Sequence, residues 1–397
     1  MPPSIPALVK PDLLVWARQS SGLSLQDTAA KLGQPIERVG LWEQGEDHPT
    51  IPQLRRLAEI YQRPLSVFYL PYPPQETESI KDFRQLDAEV SRSYSSSLRA
   101  LIRNVQYRRE TAMELAGQLN EPTPEFPVIA SMRDDPEHLA ERLRTVIGTS
   151  YLEQVRWREP YIALKSWIQA LEKLGLLVFQ SSDVLLKEMR GFSIGEEPFP
   201  IILINSKDYP NGRIFTLMHE LTHIALRRGG VCNLEIDESH NATTEEQATE
   251  VFCNHVAGAI LVPRASLLAE SLIRLKTPEI EFTNDDLEHL AKRYQVSKEV
   301  ITRRLLILNQ VSQRFYQRKR QEFFEDYRRH AENGERSGGA PPVFRRALAK
   351  NGHAFSRLVV ESYNSDRITA SDVSDYLGIR LKHLPKLEAA LFSRGNE

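Results

Sequence analysis

Two histidines and a glutamate lie close together in an apolar stretch near the middle of the chain. His219 and His223 are four residues apart, so on an α-helix their rings point the same way, and Glu220 lies beside them. This is the H-E-x-x-H pattern, in which two imidazoles bind Zn²⁺ and the glutamate acts as general base on a water molecule. The residues therefore predict a zinc site on a helix; a helix with two incidental histidines is the alternative.

A catalytic zinc takes three protein ligands and leaves one position open, so a third ligand must come from elsewhere. Glu250 is the best candidate, because a carboxylate at the polar start of an apolar helix, aimed inward, needs a metal or an ion pair. Glu245, Glu246, His240 and His255 are its rivals. Five residues separate His255 from Glu250, about 140° around a helix, so the two are not expected to bind the same ion.

Hydrolysis also needs a donor to the oxyanion, and metal ligands need partners that hold them in place. Tyr209, His240, His255 and Asn254 are the candidates for these two roles. The sequence does not decide between the roles.

The composition fits a multidomain protein of the cytoplasm. A length of 397 residues is too great for one typical core, and 41% hydrophobic with 26% charged residues is typical of globular chains. The net charge of −2 argues neither for nor against nucleic acid. Two cysteines, Cys232 and Cys253, form no disulfide framework, which fits a reducing compartment. No apolar run approaches the roughly 18 residues that span a bilayer, so no membrane is expected.

The elements around the central helix predict a mainly α (α+β) fold. Five short helical segments fill residues 11–70, and three apolar runs predict a small sheet just before the central helix, at 176–179, 191–194 and 201–205. The expected parts are a helix-turn-helix domain at 11–70, a linker and long helix at 71–127, a metal-binding domain at 135–330 and a helical module at 343–397.

Two further segments, the arginine-rich long helix and residues 287–305, each allow two interpretations. The long helix carries Arg99, Arg103, Arg108 and Arg109, for which a solvated face is preferred over a phosphate-facing stripe. Residues 287–305 repeat a helix, a short turn and a helix. Packing helices that complete the metal-binding domain are preferred there over a second nucleic-acid-binding unit.

The N-terminal segment resembles the Cro/C1-type (XRE) DNA-binding domain. Residues 39–45 carry Val-Gly-Leu-Trp-Glu-Gln-Gly, and Pro-Thr and an L-x-x-L-A pattern follow by residue 58. The resemblance implies DNA as a partner. If DNA is bound, side-chain chemistry makes Gln34 and Arg38 the expected base readers and Glu37 an acceptor from cytosine. Seven basic and seven acidic side chains between residues 10 and 70 predict modest phosphate attraction, and a bundle used only for protein contact is the alternative.

The central helix, read with a second segment, resembles the ImmA/IrrE family of zinc peptidases. The second segment carries a Glu, an Asn four residues on and small residues up to Leu-x-Pro, here Glu250, Asn254, Ala257, Leu261 and Pro263. The resemblance implies a zincin-like peptidase domain in which His219, His223 and Glu250 bind Zn²⁺ and Glu220 is catalytic. It also implies the pairing with an XRE domain and an Asp-Phe-Arg segment, here Asp82–Arg84.

This chain departs from the family pattern at two positions. It has Cys253 where an alanine is usual before the Asn, and Thr222 where a small residue commonly follows the leucine. Neither change removes a ligand. Cys253 is expected to be a core residue rather than a thiol close to the metal.

These features predict a DNA-associated zinc endopeptidase that cleaves a specific regulatory protein, such as a repressor or an antitoxin. The alternative is a DNA-binding regulator or antitoxin-like partner whose peptidase domain senses metal or binds proteins without cutting them. Domains of the XRE type often act as homodimers, although no heptad repeat here requires one. The C-terminal module is expected to contact partners.

Overall fold

The computed structural model describes residues 6–74, 94–227, 230–232, 245–275, 281–332 and 341–392. The chain divides into two compact units, Met1–Tyr107 and Arg108–Glu397. Both are mainly helical, and the described sheet lies in the second, so the mainly α (α+β) class is confirmed. Among the described helices, none is both long and apolar enough to cross a membrane. Asp82–Arg84 and His240, singled out in the sequence, lie outside the described residues.

The first unit contains the predicted five helical segments and the start of the long helix. Its elements are α1 (Pro11–Ser20), α2 (Leu25–Leu32), α3 (Ile36–Gln44), α4 (Ile51–Tyr61), a 3-10 helix (Leu65–Tyr69) and α5 (Ser96–Leu119), in which the boundary between the units falls. The fifth segment is thus a 3-10 helix rather than an α-helix.

Local sequence sets the geometry of the α2–α3 pair. The Ser24 side chain accepts a hydrogen bond from the Asp27 N–H and the Asp27 carboxylate accepts one from the Ser24 N–H, a reciprocal cap that starts α2. Gly33 ends α2 with a φ of 68°, a left-handed conformation that favours glycine. Trp42 of α3 is buried in the core of the unit. The opposite face of α3 is therefore left at the surface.

The charge pattern of α5 predicted a solvated face, and this prediction is wrong for three of its arginines, which contact neighbouring segments. Within the first unit, Arg103 donates to the backbone oxygen of Ser20. Within the second, Arg108 donates to the oxygen of Lys350 and Arg109 reaches the Glu196 carboxylate. Long guanidinium side chains reach backbone carbonyls of neighbouring segments, which charge pattern alone does not reveal.

The second unit places a four-stranded sheet among helices. Its elements in chain order are α6 (Pro136–Ile147), α7 (Tyr151–Gln154), α8 (Pro160–Glu172), β1 (Leu177–Ser181), β2 (Gly191–Ile194), β3 (Ile201–Asn205), α9 (Pro210–Ala225), β4 (Gly230–Cys232), α10 (Glu245–Leu261), α11 (Arg264–Ala269), α12 (Ser271–Arg274), α13 (Asn284–Tyr294), α14 (Lys298–Ile307), α15 (Gln313–Glu332), α16 (Val343–Asn351), α17 (His353–Asn364), α18 (Ala370–Leu377), a 3-10 helix (Leu381–His383) and α19 (Leu384–Phe392).

The sheet has the strand order β1-β3-β2-β4. Strands β1 and β3 are parallel, while β2 is antiparallel to both β3 and β4. All residues of β2 and β3 are buried, as expected for strands that read as continuous apolar runs. Helix α9 packs against β2 and β3 and also contacts α8 and α10, so the H-E-x-x-H helix lies in the centre of the unit.

The second helix-turn-helix pattern, at residues 287–305, forms two helices that pack within this unit. Gln295, with a φ of 56°, caps the end of helix α13, and the Ser297 side chain caps the start of α14. Ile301, Arg304 and Leu305 of α14 are fully buried, and α14 contacts α10 and α15. A helix buried in this way has no free face to read a DNA groove.

The C-terminal helices dock on the edge of β1 through a buried carboxyl group. Glu172, at the end of α8, accepts a hydrogen bond of 3.1 Å from the Ala354 N–H in the first turn of α17. Gly352 precedes that turn with a φ of +71°. A Cβ atom at Gly352 would lie 2.5 Å from the Val178 backbone oxygen, so only glycine fits against β1 at this position.

Glu172→Gln is expected to stabilise the protein at alkaline pH. Burial raises the pKa of Glu172 from 4.5 to about 8, although the N–H groups of Ala354 and His353 oppose the shift. The folded state therefore favours the neutral acid, and this stability is lost as the pH rises from about 4.5 through 8. Glutamine keeps the acceptor without the charge, so urea unfolding should show a gain of up to about 4 kcal/mol at pH 8.5 and almost none at pH 4. Glu153→Gln, on an exposed side chain, is the control; an equal gain at both pH values would contradict this account.

Candidate metal centre

Helix α9 carries the two histidines into the interior. It starts with Pro210 at its first position, and its residues from Thr216 to Ala225 are all buried. His219 and His223 lie one turn apart on one face, with ring centroids separated by 4.9 Å. The helical spacing thus gives the pairing of imidazoles that the sequence predicts.

Glu250 reaches both rings from the neighbouring helix α10. Its Oε2 lies 3.1 Å from His219 Nε2 and its Oε1 lies 3.3 Å from His223 Nε2, and the two Nε2 atoms are 3.1 Å apart. One donor atom from each residue therefore converges on one point, with all three atoms within 4.8 Å of one another. The rival Glu245 is exposed at the start of α10, and the Glu246 side chain lies outside the described residues.

The donor set fits a zinc ion. In a tetrahedral site with bonds of about 2.0–2.1 Å, ligand atoms lie roughly 3.3–3.4 Å apart, close to the separations found here. Two imidazole nitrogens facing each other at this distance need a cation or a shared proton between them. Catalytic zinc sites use three protein ligands of this kind, here two imidazole nitrogens and a carboxylate, and leave a fourth position open.

Asn254 fixes the form of one ligand. Its Oδ1 lies 3.0 Å from His219 Nδ1. Because an amide oxygen only accepts, Nδ1 carries the proton and the lone pair of a neutral ring lies on Nε2, which faces Glu250. Asn254 was a candidate both for an oxyanion donor and for a partner of a metal ligand, and its contact with His219 is of the second kind.

The Glu250 carboxylate is held in its charged form. Burial acts to raise its pKa, but the hydrogen bonds and charges that His219 and His223 supply when they are protonated outweigh burial and hold the pKa well below the usual range. An ionised carboxylate is the form that binds a metal.

Glu220 is fully buried beside the two histidines and is held by a strand residue. Its Oε2 accepts a hydrogen bond of 2.8 Å from the Ser193 hydroxyl of β2. Its Oε1 has no hydrogen-bond partner among the described residues. Burial raises the pKa of Glu220, with His223 and His219 opposing the shift. A carboxylate with one oxygen held and the other unsatisfied is suited to accept a proton from a small molecule.

Two other candidate residues lie in different surroundings. Tyr209 precedes the first turn of α9, ten residues or about 15 Å of helix before His219, and half of its surface is exposed. His255 is on α10, but its Nε2 lies 2.8 Å from the Glu137 carboxylate. His255 is therefore not among the three converging donors, and His240 lies outside the described residues.

Glu137→Gln is expected to lower the free energy of unfolding by about 3 kcal/mol. The Glu137 carboxylate binds both Nη atoms of Arg304, at 2.5 and 2.9 Å, and Arg304 is fully buried. His255 and Arg304 lower the Glu137 pKa to about 2 despite the opposing effect of burial. Glutamine would leave the Arg304 charge buried without a counterion, which urea unfolding should detect. Glu141→Gln, exposed on the same helix, is the control, and an equal loss there would rule out this explanation.

Cys253 is buried and free, and it packs in the core of the second unit. Burial raises the pKa of its thiol, while a hydrogen bond with His223 opposes the shift. The thiol thus touches one histidine but is not among the three converging donors.

The predicted DNA readers lie at the surface of the first unit. Glu37 and Arg38 are exposed and Gln34 is half-buried, and Arg38 Nη1 lies 3.4 Å from Gln34 Oε1. Ile36 and Leu41 share this exposed surface of α3. It offers one cation, one anion and apolar groups.

Comparisons with known proteins agree with this arrangement. The IrrE N-terminal-like domain of peptidase family M78 matches residues 171–306, and a helix-turn-helix family matches residues 14–68. The radiation response metalloprotease IrrE of Deinococcus radiodurans is 37% identical over 97 residues, which cover 24% of this chain and 28% of that protein. Its counterpart in Deinococcus deserti is 34% identical over 97 residues, covering 24% and 32%. The matches thus span about a third or less of these relatives.

A solved Mycobacterium tuberculosis transcriptional regulator has 17% sequence identity and a TM-score of 0.30, over 49% of this chain and 51% of that one. The two family matches are more specific, because each falls on a segment whose motif is present. The H-E-x-x-H helix and Glu250 lie within residues 171–306, and the α2–α3 pair lies within residues 14–68. This chain combines an N-terminal helix-turn-helix domain with an IrrE N-terminal-like domain of peptidase family M78.

Proposed function

We propose that this protein is a zinc-dependent endopeptidase that cleaves a specific regulatory protein and is brought to DNA by its helix-turn-helix domain. The observation that carries the proposal is the convergence of His219, His223 and Glu250 on one point, with the Glu220 carboxylate buried beside them. A scaffold that only bound proteins would have no need of a desolvated carboxylate at this position.

His219, His223 and Glu250 would hold the zinc, which when bound polarises the scissile carbonyl and makes a water molecule more acidic. Glu220 takes a proton from the attacking water at Oε1 and passes it to the leaving amine, so that one peptide bond and one water give a carboxylate and an amine. Asn254 keeps His219 in the tautomer with a free Nε2. Ser193 holds the second oxygen of Glu220.

Restricted cleavage fits the domain organisation better than general digestion. A helix-turn-helix domain in the same chain would concentrate the peptidase near DNA, where repressors and antitoxins are bound. Gln34, Glu37 and Arg38 are the residues proposed to face the bases. Because the proposed partners are DNA and proteins bound to it, we place the protein in the cytoplasm.

Metal analysis and a cleavage assay test the proposal together. The purified full chain should contain one zinc per molecule, and it should cut one of the repressors or antitoxins encoded beside its own gene at a single site, as read by mass spectrometry. Chelation should stop the cleavage, and added zinc should restore it. Stoichiometric zinc without cleavage of any such protein would instead favour a regulator whose M78 domain senses metal or binds proteins.

A separate measurement tests the role in DNA binding. The full chain is expected to select duplex sequences from a random pool, with an affinity that falls as salt rises. Arg38→Ala should weaken binding to the selected sequence, whereas Arg158→Ala, in the second unit, should not. Failure to bind any duplex at low salt would remove DNA from the proposal and leave the peptidase untouched.

A further inference from the structure

Strand β2 presents two residues to the same side of the sheet, towards α9. Gly191 and Ser193 are two positions apart, so both lie on one face of the strand. Ser193 and Glu220 are each fully buried. The Ser193 hydroxyl therefore meets the Glu220 carboxylate in a place that bulk water does not reach.

The contact treats the two carboxylate oxygens differently. Ser193 Oγ donates to Oε2 at 2.8 Å, while Oε1 has no partner among the described residues. A single fixed hydrogen bond to one oxygen restricts rotation of the carboxyl plane and so determines where the other oxygen points.

Gly191 leaves the space that this orientation needs. A Cβ atom at position 191 would lie 3.1 Å from Glu220 Oε1, 2.5 Å from Thr216 Cγ2 and 3.0 Å from the Leu203 oxygen. Any larger residue would therefore crowd the oxygen that Ser193 leaves unbonded. The two positions of β2 act on the same carboxylate, one by a hydrogen bond and one by the absence of a side chain.

We infer that Ser193 is a positioning residue for Glu220, whose hydroxyl holds Oε2 so that Oε1 faces the reacting water. The inference rests on the proposed peptidase function, because it assigns Glu220 the role of base. It concerns a strand residue that lies outside both the H-E-x-x-H motif and the Glu250 segment.

Acetohydroxamate offers a test that needs no protein substrate. Hydroxamates chelate zinc and at the same time donate a hydrogen bond to a neighbouring carboxylate, so their affinity depends on how that carboxylate is held. The zinc-loaded full chain, Ser193→Ala, Glu220→Ala and the double variant would be titrated by calorimetry, with zinc content measured for each. Thr222→Val is the matched control, since it deletes a buried hydroxyl of α9 that donates to the Met218 oxygen rather than to Glu220.

Ser193→Ala is expected to keep its zinc and to bind acetohydroxamate about tenfold more weakly, the effect of one hydrogen bond to a charged group. In the Glu220→Ala background the same change should alter affinity less than about twofold, and Thr222→Val should behave like the wild type. When a cleaved substrate is in hand, Ser193→Ala should lower kcat and leave KM unchanged.

Two results would overturn the inference alone. One is wild-type hydroxamate affinity in Ser193→Ala, and the other is an equal loss in the Glu220→Ala background, which would show a general structural effect. A wild-type chain that binds neither zinc nor acetohydroxamate would overturn the metal site itself and the inference with it. The two kinds of failure are therefore distinguishable.

Discussion

Glu220→Gln is expected to lower the rate of cleavage about a thousandfold or more while zinc remains bound. The amide cannot accept the proton of the attacking water, and general-base catalysis of this kind contributes about 10²–10⁴-fold. Glutamine also keeps an oxygen to accept the Ser193 hydrogen bond, so the surrounding structure is preserved. The measurement is kcat for the natural substrate, with zinc content determined on the same samples.

Glu172→Gln is the matched control for Glu220→Gln. It makes the same chemical change in another carboxyl group of the interior, one that contacts α17 instead of the histidines. Its rate should equal that of the wild type. Cleavage by Glu220→Gln at the wild-type rate would show that another group acts as the base.

Glu250→Gln is expected to weaken zinc binding at least about a hundredfold. The carboxylate supplies the negative charge of the ligand set, and a neutral amide is a poor ligand for zinc. Its two oxygens lie 3.1 and 3.3 Å from the histidine nitrogens, and among the described residues no other carboxylate forms a group of three metal donors with them. Competition with a zinc-binding dye gives the affinity.

Glu245→Gln is the control for Glu250→Gln, because Glu245 is exposed on the same helix α10. Its zinc affinity should not change. The zinc-dependent rise in Tm should shrink in Glu250→Gln and persist in Glu245→Gln, since a ligand that binds the folded state stabilises it by an amount set by its affinity. Equal affinities in the two variants would remove Glu250 from the ligand set.

The sequence specifies the parts of the site that lie within one element. His219 and His223 share a face because the α-helix repeats every 3.6 residues, and Glu220 follows from the same motif. The position of Glu250 cannot be predicted in the same way. Whether its carboxylate reaches the histidines depends on how α10 packs on α9, and residue spacing along the chain carries no information on that packing. The residues alone make Glu250 the best of five candidates, and the family resemblance implies that it is the third ligand.

Contacts between distant segments could not be read from the chain. Ser193 lies on a short apolar strand 27 residues before Glu220, and nothing in its neighbours marks it as a partner. His255 and Glu137 are 118 residues apart, and local pattern left the histidine as a candidate for catalysis. In both cases the partner is chosen by tertiary packing, which places polar groups opposite each other only after the helices have met the sheet.

The close contact of Gly352 with the Val178 backbone oxygen covers the outer edge of β1 and so keeps it from pairing with strands of other chains. The Leu177 N–H donates to the Pro200 oxygen, so the peptide groups of the next residue point away from β3, towards the edge that Gly352 covers. An uncovered strand edge of this kind recruits further strands and promotes aggregation. The C-terminal helices thus act as a cap on the sheet, and a chain cut before Val343 would present β1 as a template for self-association.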